Sequence, residues 1–167
     1  MPIKQTTPRA SLQQAIYKRI GKIENVIIDR LFETGEQVVK YARELPSPSL
    51  ADFPEGQQEK GKVPPHQPHY IDWSGNLRSS IGYAILKDGK TIHMSDFTPV
   101  KGGEEGARKG KAFLESLISN HSTGIALVVV AGMPYAAYVE AKGYDVLDSA
   151  EIKAEEIVER LLSKLKF

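Results

Sequence analysis

The stretch SGNLRSSIGYAILKDGKTIHM, residues 74–94, decides the fold class that we predict for this chain. Ser74 is a good N-cap for a helical turn through residue 80, because its hydroxyl can accept a hydrogen bond from an early amide. Residues 81–86 are predicted to form a strand, and residues 91–94 a returning strand. The Asp-Gly pair between them favours a tight hairpin turn. The stretch is therefore a helix-to-strand corner that leads into a β-hairpin.

Two amphipathic helices are predicted on either side of this hairpin. The first covers residues 9–45, where apolar residues recur at steps of three, four and seven between Pro8 and Pro46. At about 1.5 Å per residue it would be longer than a small domain is wide, so we expect part of it to project. The second opens at DSAE, residues 148–151, which has the form of a capping box with Asp148 as N-cap, and runs through Lys166.

Three more elements are predicted between the hairpin and the last helix. Residues 107–120 form a helix with Phe113 and Leu114 facing inward, and YDVL (144–147) forms a short strand. Residues 125–131 are almost wholly apolar, so we expect this strand in the centre of the sheet. The fold class is α+β, with a small antiparallel sheet packed against the long N-terminal helix and the C-terminal helix. Residues 1–167 form a single domain, of which 73–167 are the α+β core.

The segment 46–72 differs from the rest of the chain. It contains six of the ten prolines and shows neither a helical nor an alternating period. A loop of this length inside a small domain is usually functional or disordered. We predict a mobile arm that orders against a partner.

Composition excludes several classes of function. A net charge of +1 argues against a dedicated, sequence-specific nucleic-acid binder. The chain has no cysteine, which excludes disulfides and thiolate chemistry. The N-terminus has no apolar signal segment, and the longest apolar run is too short to span a bilayer. We expect a soluble intracellular protein that does not contact membranes.

The sequence gives little support for an enzyme. GARKGK (106–111) resembles a phosphate loop, but it lacks the first glycine and the Ser or Thr after the lysine. No nucleophile elbow and no metalloprotease motif occurs. His66, His69 and Asp72 have metal-ligand types, but they lie in the proline-rich segment without a rigid element to orient them. A metal site there stays open as an alternative, and we predict no catalytic residue, cofactor or metal.

Two patterns occur in a fixed order, SGNLRSSI (74–81) and GMPYAAYVEAKG (132–143). Together they resemble the tail-completion family of tailed bacteriophages and prophages, which includes neck, head–tail joining and minor tail components. Members of that family carry Thr/Ser-Gly-x-Leu-Arg-x-Ser before a strand, then Tyr-Ala-x-Tyr-Val-Glu and a glycine before a C-terminal helix. The matching positions are Ser74, Gly75, Leu77, Arg78, Ser80, Ile81, Tyr135, Ala136, Tyr138, Val139, Glu140 and Gly143.

The chain also departs from the family pattern. Many members follow the glutamate with Phe/Tyr-Gly-Thr, where this chain has Ala141-Lys142-Gly143. They often carry Pro-Phe-Leu-x-Pro-Ala before the last helix, where this chain has YDVLDSAE. The resemblance therefore does not assign a position within the neck or the tail.

The resemblance implies a non-enzymatic building block of the virion that is present in the host cytoplasm during assembly. Such proteins commonly form a sixfold ring and join the head connector to tail-tube or tail-terminator proteins. Five residues are then candidates for subunit or partner contacts, because arginine and tyrosine are favoured there: Asn76, Arg78, Tyr135, Tyr138 and Glu140. Seven are expected to be structural: Ser74, Gly75, Leu77, Ser80, Ile81, Val139 and Gly143.

Two questions stay open at this point. Glu140 is a candidate acid for Arg78, either within one subunit or across two, and each of these residues is equally an interface group or an intramolecular brace. A cytoplasmic adaptor or regulatory protein that pairs through the long helix is the alternative function from another class.

Overall fold

The structure is a computed structural model, which describes residues 9–44, 70 and 72–163. Most of the predicted mobile arm lies outside these residues, although Tyr70 and Asp72 at its end are buried in the body of the protein. The elements are α1 (Arg9–Glu44), α2 (Asn76–Ser79), β1 (Ile81–Lys87), β2 (Lys90–Met94), α3 (Glu104–Leu117), a 3₁₀ turn (Ile118–Asn120), β3 (Ile125–Ala131), α4 (Ala136–Ala141) and α5 (Asp148–Leu162).

The sheet has three antiparallel strands in the order β2-β1-β3. A tight turn joins β1 to β2, and both of its central residues, Asp88 and Gly89, have positive φ (49° and 75°). This is the backbone that an Asp-Gly hairpin requires, so the predicted hairpin is confirmed. β3 returns to β1 with Ile81 opposite Ala131 and Lys87 opposite Ile125.

Helices α1 and α5 cover one face of the sheet. Ile28, Leu31, Val38 and Ala42 of α1 follow one another at steps of three, four and seven, so they share one face of the helix. They pack against alternate β1 residues and the inner face of α5 in one core cluster. The predicted α+β fold, with its long N-terminal helix and C-terminal helix on a small antiparallel sheet, is confirmed.

Helix α3 covers the opposite face. Leu114 is fully buried there among Ala84 and Leu86 of β1 and Val130 of β3. Phe113, predicted to face inward, is instead 45% exposed. The helix begins at Glu104, three residues earlier than predicted, and its buried face is formed by Gly106, Ala107, Gly110 and Leu114. Leu114 lies on that face, whereas its neighbour Phe113 is rotated away by about 100°.

Strand β3 lies at an edge of the sheet, so the predicted central position is wrong. Among the described residues its one strand partner is β1, which is the central strand. Leu127 and Val129 pack toward α1 and α5, while Val128 and Val130 pack toward α3. An unbroken apolar run therefore indicates that both faces of a strand are covered. It does not indicate whether the strand has a hydrogen-bonded neighbour on both sides.

Two further local predictions were wrong. YDVL (144–147) forms no strand, and it connects α4 to α5. Gly75 with φ 76°, rather than Ser74, occupies the N-cap of α2, although Ser74 Oγ lies 3.4 Å from the Asn76 amide. Within the described part of the chain, no helix is long and apolar enough to cross a membrane.

Candidate functional site

The first motif, SGNLRSSI (74–81), forms a corner that packs against the loop at Val100. Gly75 has a left-handed φ of 76°, and a Cβ there would overlap the carbonyl group of Val100. Ser79 Oγ accepts the Val100 amide at 2.9 Å, and Ser80 Oγ donates to the Leu77 carbonyl at 2.7 Å. The two serines and the glycine are therefore structural.

Asn76 caps a different helix from its own. Its Oδ1 accepts the amide of Gly106 at 3.0 Å, in the first turn of α3. A Cβ on Gly106 would collide with the Asn76 backbone, so α2 lies directly on this turn. Since a helix N-terminus leaves amides without partners, Asn76 stabilises the start of α3.

Arg78 and Arg43 brace the junction between α1 and α2. Arg43 Nε donates to the carbonyl of Arg78 at 3.0 Å, and Arg78 Nε donates to the carbonyl of Arg43 at 2.8 Å. Arg43 Nη2 also donates to the carbonyl of Thr98 at 2.7 Å. Within the chain, Arg78 is thus an intramolecular brace.

Asp72 lies within ion-pair distance of Arg78, with Oδ2 and Nε 3.8 Å apart. Its side chain is 2% exposed, and it accepts a hydrogen bond from the Gly75 amide. Oδ2 has no hydrogen-bond donor, and it is the one buried side-chain oxygen or nitrogen without a partner in the described residues. Burial raises the pKa of Asp72, and the positive charge of Arg78 opposes this shift.

Glu140 does not contact Arg78 in the same chain. Its Oε1 accepts the amides of Leu147 at 2.8 Å and Asp148 at 3.1 Å, and Asp145 Oδ1 accepts the amide of Ser149. Asp148, the predicted N-cap, is the first residue of α5 instead. Glu140 and Asp145 thus cap α5 from outside the helix.

The two motifs meet at one cleft of about 460 Å³. The first motif contributes Ser74, Asn76 and Leu77, and the second contributes Tyr135 and Val139. We call this space the motif cleft, and its lining is Tyr70, Asp72, Trp73, Ser74, Asn76, Leu77, Glu105, Met133, Tyr135 and Val139. Segments that lie about 60 positions apart in the sequence are therefore brought together in space.

The motif cleft is acidic and aromatic. Burial and the nearby Asp72 raise the pKa values of Tyr70 and Tyr135, so both phenols stay neutral at physiological pH. Glu105 lies at the rim, where Lys109 pairs with it at 2.7 Å. The cleft thus combines an aromatic wall with two carboxylates, of which Glu105 is exposed and Asp72 is buried, and such a surface suits a cationic or hydrogen-bond-donating side chain.

The remaining predicted contact residues lie beside the cleft. Tyr135 is 41% exposed and Tyr138 is 65% exposed, with the Lys142 ammonium 5.3 Å from the Tyr138 ring centre. Gly143 has φ 82° and closes α4, and Ile81 is fully buried in the core. The exposed tyrosines thus form a surface next to the motif cleft.

Sequence reasoning missed the role of several residues in the site. The sequence predicted only a metal-ligand role for Asp72 and no role for Tyr70 or Met133. Asp72 stands two residues before the first motif and Met133 lies within the second, which was an available signal, whereas nothing in the sequence connects Arg43 to Arg78. His66 and His69 of the open metal alternative lie outside the described residues, and the described ones contain no group of three His, Cys, Asp or Glu that could hold a metal ion.

Comparison with known proteins identifies no relative: no family model, no curated protein and no solved structure matches this chain.

Proposed function

We propose that this protein is a non-enzymatic structural component of a tailed phage or prophage. In this proposal it completes the head-proximal end of the tail or joins the tail to the head connector. It acts by ordered self-association and by docking to neighbouring virion proteins. Its location is the neck or tail of the virion, after assembly in the host cytoplasm.

The observation that carries the proposal is the convergence of the two family-like motifs on one cleft. Leu77 and Val139 line that cleft from the two motifs, and Tyr135 is half exposed at its rim. The fold class agrees with the resemblance, although an α+β fold alone does not assign a function.

The chemistry of the motif cleft suggests how it would dock to a partner. A partner at the motif cleft would meet the exposed Glu105 carboxylate and the half-exposed Tyr135, whereas Asp72 lies buried beneath them. Tyr135 and Tyr138 add large amphipathic surfaces, which are favoured at protein contacts. Such a contact would fix the orientation of the partner as well as its affinity.

Deletion of the gene from the encoding phage or prophage tests the proposal. We expect separate heads and tails by electron microscopy, and we expect complementation with the wild-type gene to restore joined particles. Complementation with Tyr138→Ala should restore fewer joined particles than Phe113→Ala. Phe113 is the matched control, because it is an aromatic residue that is 45% exposed and does not line the motif cleft. Normal joined particles in the deletion strain would overturn the proposal.

A further inference from the structure

The first turns of α1 extend away from the body of the protein. Every residue from 9 to 20 is exposed, and we call Arg9–Ile20 the helical extension. Leu12, Ile16 and Ile20 follow at steps of four and are 49%, 50% and 45% exposed. They therefore form an apolar stripe along one face of the helical extension.

An apolar groove lies elsewhere on the same molecule, between α5 and the edge strand β3. Its volume is about 380 Å³. Five aliphatic residues and one acid line it together with Val38 of α1: Leu127, Val129, Leu147, Ala150, Ala154 and Glu151. Among the described residues, no strand pairs with the outer edge of β3, so the groove lies beside an open edge of the sheet.

The two surfaces carry opposite charge. The helical extension contains Arg9, Lys18 and Arg19 and no acidic residue. Helix α5 contains five acidic and two basic residues. Glu151 lines the groove, and Glu155 and Glu159 follow it at steps of four on the same face of α5. Within the described part of the chain, these three glutamates form no ion pair.

The groove cannot be filled by the helical extension of its own chain. Ile16 precedes Val38 by 22 positions in one continuous helix, so the two lie about 33 Å apart. An ion pair of 2.7 Å between Glu24 and Lys87 holds α1 to the end of β1 just beyond the helical extension. An apolar, basic helical surface that matches this groove is available from the helical extension of a second copy.

We infer that the helical extension of one copy docks in the α5–β3 groove of the next copy. Leu12, Ile16 and Ile20 enter the apolar groove, while Arg9 and Arg19, on the same side of the helix, face the acidic row of α5. The contact is head-to-tail, so its repetition generates a ring if the rotation closes. This inference rests on the self-association in the proposed function and assigns the surfaces that make it.

Cysteine cross-linking tests the contact directly, because the native chain contains no cysteine. The purified full-length variants Ile16→Cys and Ala154→Cys are mixed at a concentration at which the wild type is oligomeric, and then oxidised. We expect disulfide-linked dimers in the mixture and few in either variant alone. Ile16→Cys mixed with Lys111→Cys is the matched control, since Lys111 is exposed on α3 at the opposite face of the sheet.

Charge reversal provides a second measurement. Arg9→Glu with Arg19→Glu, and separately Glu151→Lys with Glu155→Lys, should each weaken self-association at least tenfold in sedimentation experiments. An equimolar mixture of the two double variants should recover association. The acidic extension of the first variant then meets the basic groove of the second, and the basic extension of the second meets the acidic groove of the first. Unchanged far-ultraviolet circular dichroism confirms that each variant is folded.

The possible outcomes separate this inference from the proposed function. Cross-linking of Ile16→Cys to itself would show pairing of two helical extensions, and an oligomer without the Ile16–Ala154 link would show another interface. A chain that stays monomeric at all concentrations also overturns the inference. If the chain is found in joined virions without this link, the inference fails while the proposed function stands. If the link forms but virions lack the chain, only the proposed function fails.

Discussion

At the scale of single residues, the motif cleft depends on a carboxylate that is only partly satisfied. Asp72 accepts the Gly75 amide and lies 3.8 Å from Arg78 Nε, yet its Oδ2 has no hydrogen bond. Arg78 is held by the backbone of Arg43 and does not turn fully toward the acid. The geometry thus leaves a buried acceptor beside the tyrosine surface.

Replacement of Asp72 with Asn tests this environment. Because its pKa is raised in the folded state, the ionised form of Asp72 destabilises the fold, and protonation removes the penalty. The stability of the wild type relative to Asp72→Asn should therefore be greatest below the unfolded-state pKa of 3.8 and should fall as pH rises through the raised pKa of the folded state. Each unit of pKa corresponds to about 1.4 kcal/mol. Urea unfolding of both proteins at several pH values measures the difference.

The comparison with Asp72→Asn cancels the other titrating groups, which both proteins share. A wild type that gains stability relative to Asp72→Asn as pH rises would contradict this account. That result would mean that attraction to Arg78 outweighs burial.

At the scale of elements, residues outside a helix stabilise its end in two places. Asn76 caps α3, and Glu140 caps α5. Glu140 matches the family pattern and Asn76 stands at one of its variable positions, yet both have a structural role within this chain. The capping partners are distant in sequence or lie in another element, so a local capping pattern predicted neither of them.

Glu140→Ala should lower the free energy of unfolding by about 1 kcal/mol, because the amides of Leu147 and Asp148 lose their acceptor. Glu140→Gln keeps an acceptor oxygen and should lose less than half of that amount. Glu115→Ala, at an exposed position of α3, is the control and should be nearly neutral. Equal losses for Ala and Gln at position 140 would contradict the capping role.

Two glycines in α1 provide a matched pair. A Cβ at Gly21 has no atom within 4 Å, so Gly21→Ala should stabilise the protein by about 1 kcal/mol through helix propensity. A Cβ at Gly35 would overlap the ring of Tyr83, which is fully buried. Gly35→Ala should therefore destabilise the protein by about 1–3 kcal/mol through overpacking. Thermal unfolding measures both, and a stabilising Gly35→Ala would show that α1 does not pack closely on β1.

The elements also show which features a sequence can predict. Helical period placed α1 and α5, and the Asp-Gly pair placed the β1–β2 turn, because these signals are local. The position of β3 within the sheet depends on which strands pair, which is decided by contacts between distant segments. The apolar pattern of β3 indicates only that both faces of the strand are covered. It does not determine whether the strand is central, and the prediction of a central position was therefore wrong. The motif cleft could be predicted only in part. The motif residues that line it were predicted from the sequence, whereas the contribution of Asp72 and Tyr70, at the end of the proline-rich segment, was not.

At the scale of the whole molecule, two features stand out on the three-layer body that the described residues form. The motif cleft holds a buried carboxylate oxygen without a hydrogen-bond donor, and the helical extension exposes an apolar stripe. Large exposed apolar surfaces commonly mark interaction sites. A protein that functions inside an assembly would cover both features there, and this is the basis of the proposed role.

The most direct test of that role is quantitative mass spectrometry of phage particles. Particles induced from the encoding strain are purified on a density gradient, and peptides of this chain are counted against those of the portal and tail-tube proteins. We expect a small, fixed number of copies per particle, with six copies indicating a single sixfold ring. Complete, infectious particles that contain no peptide of this chain would contradict the proposed function.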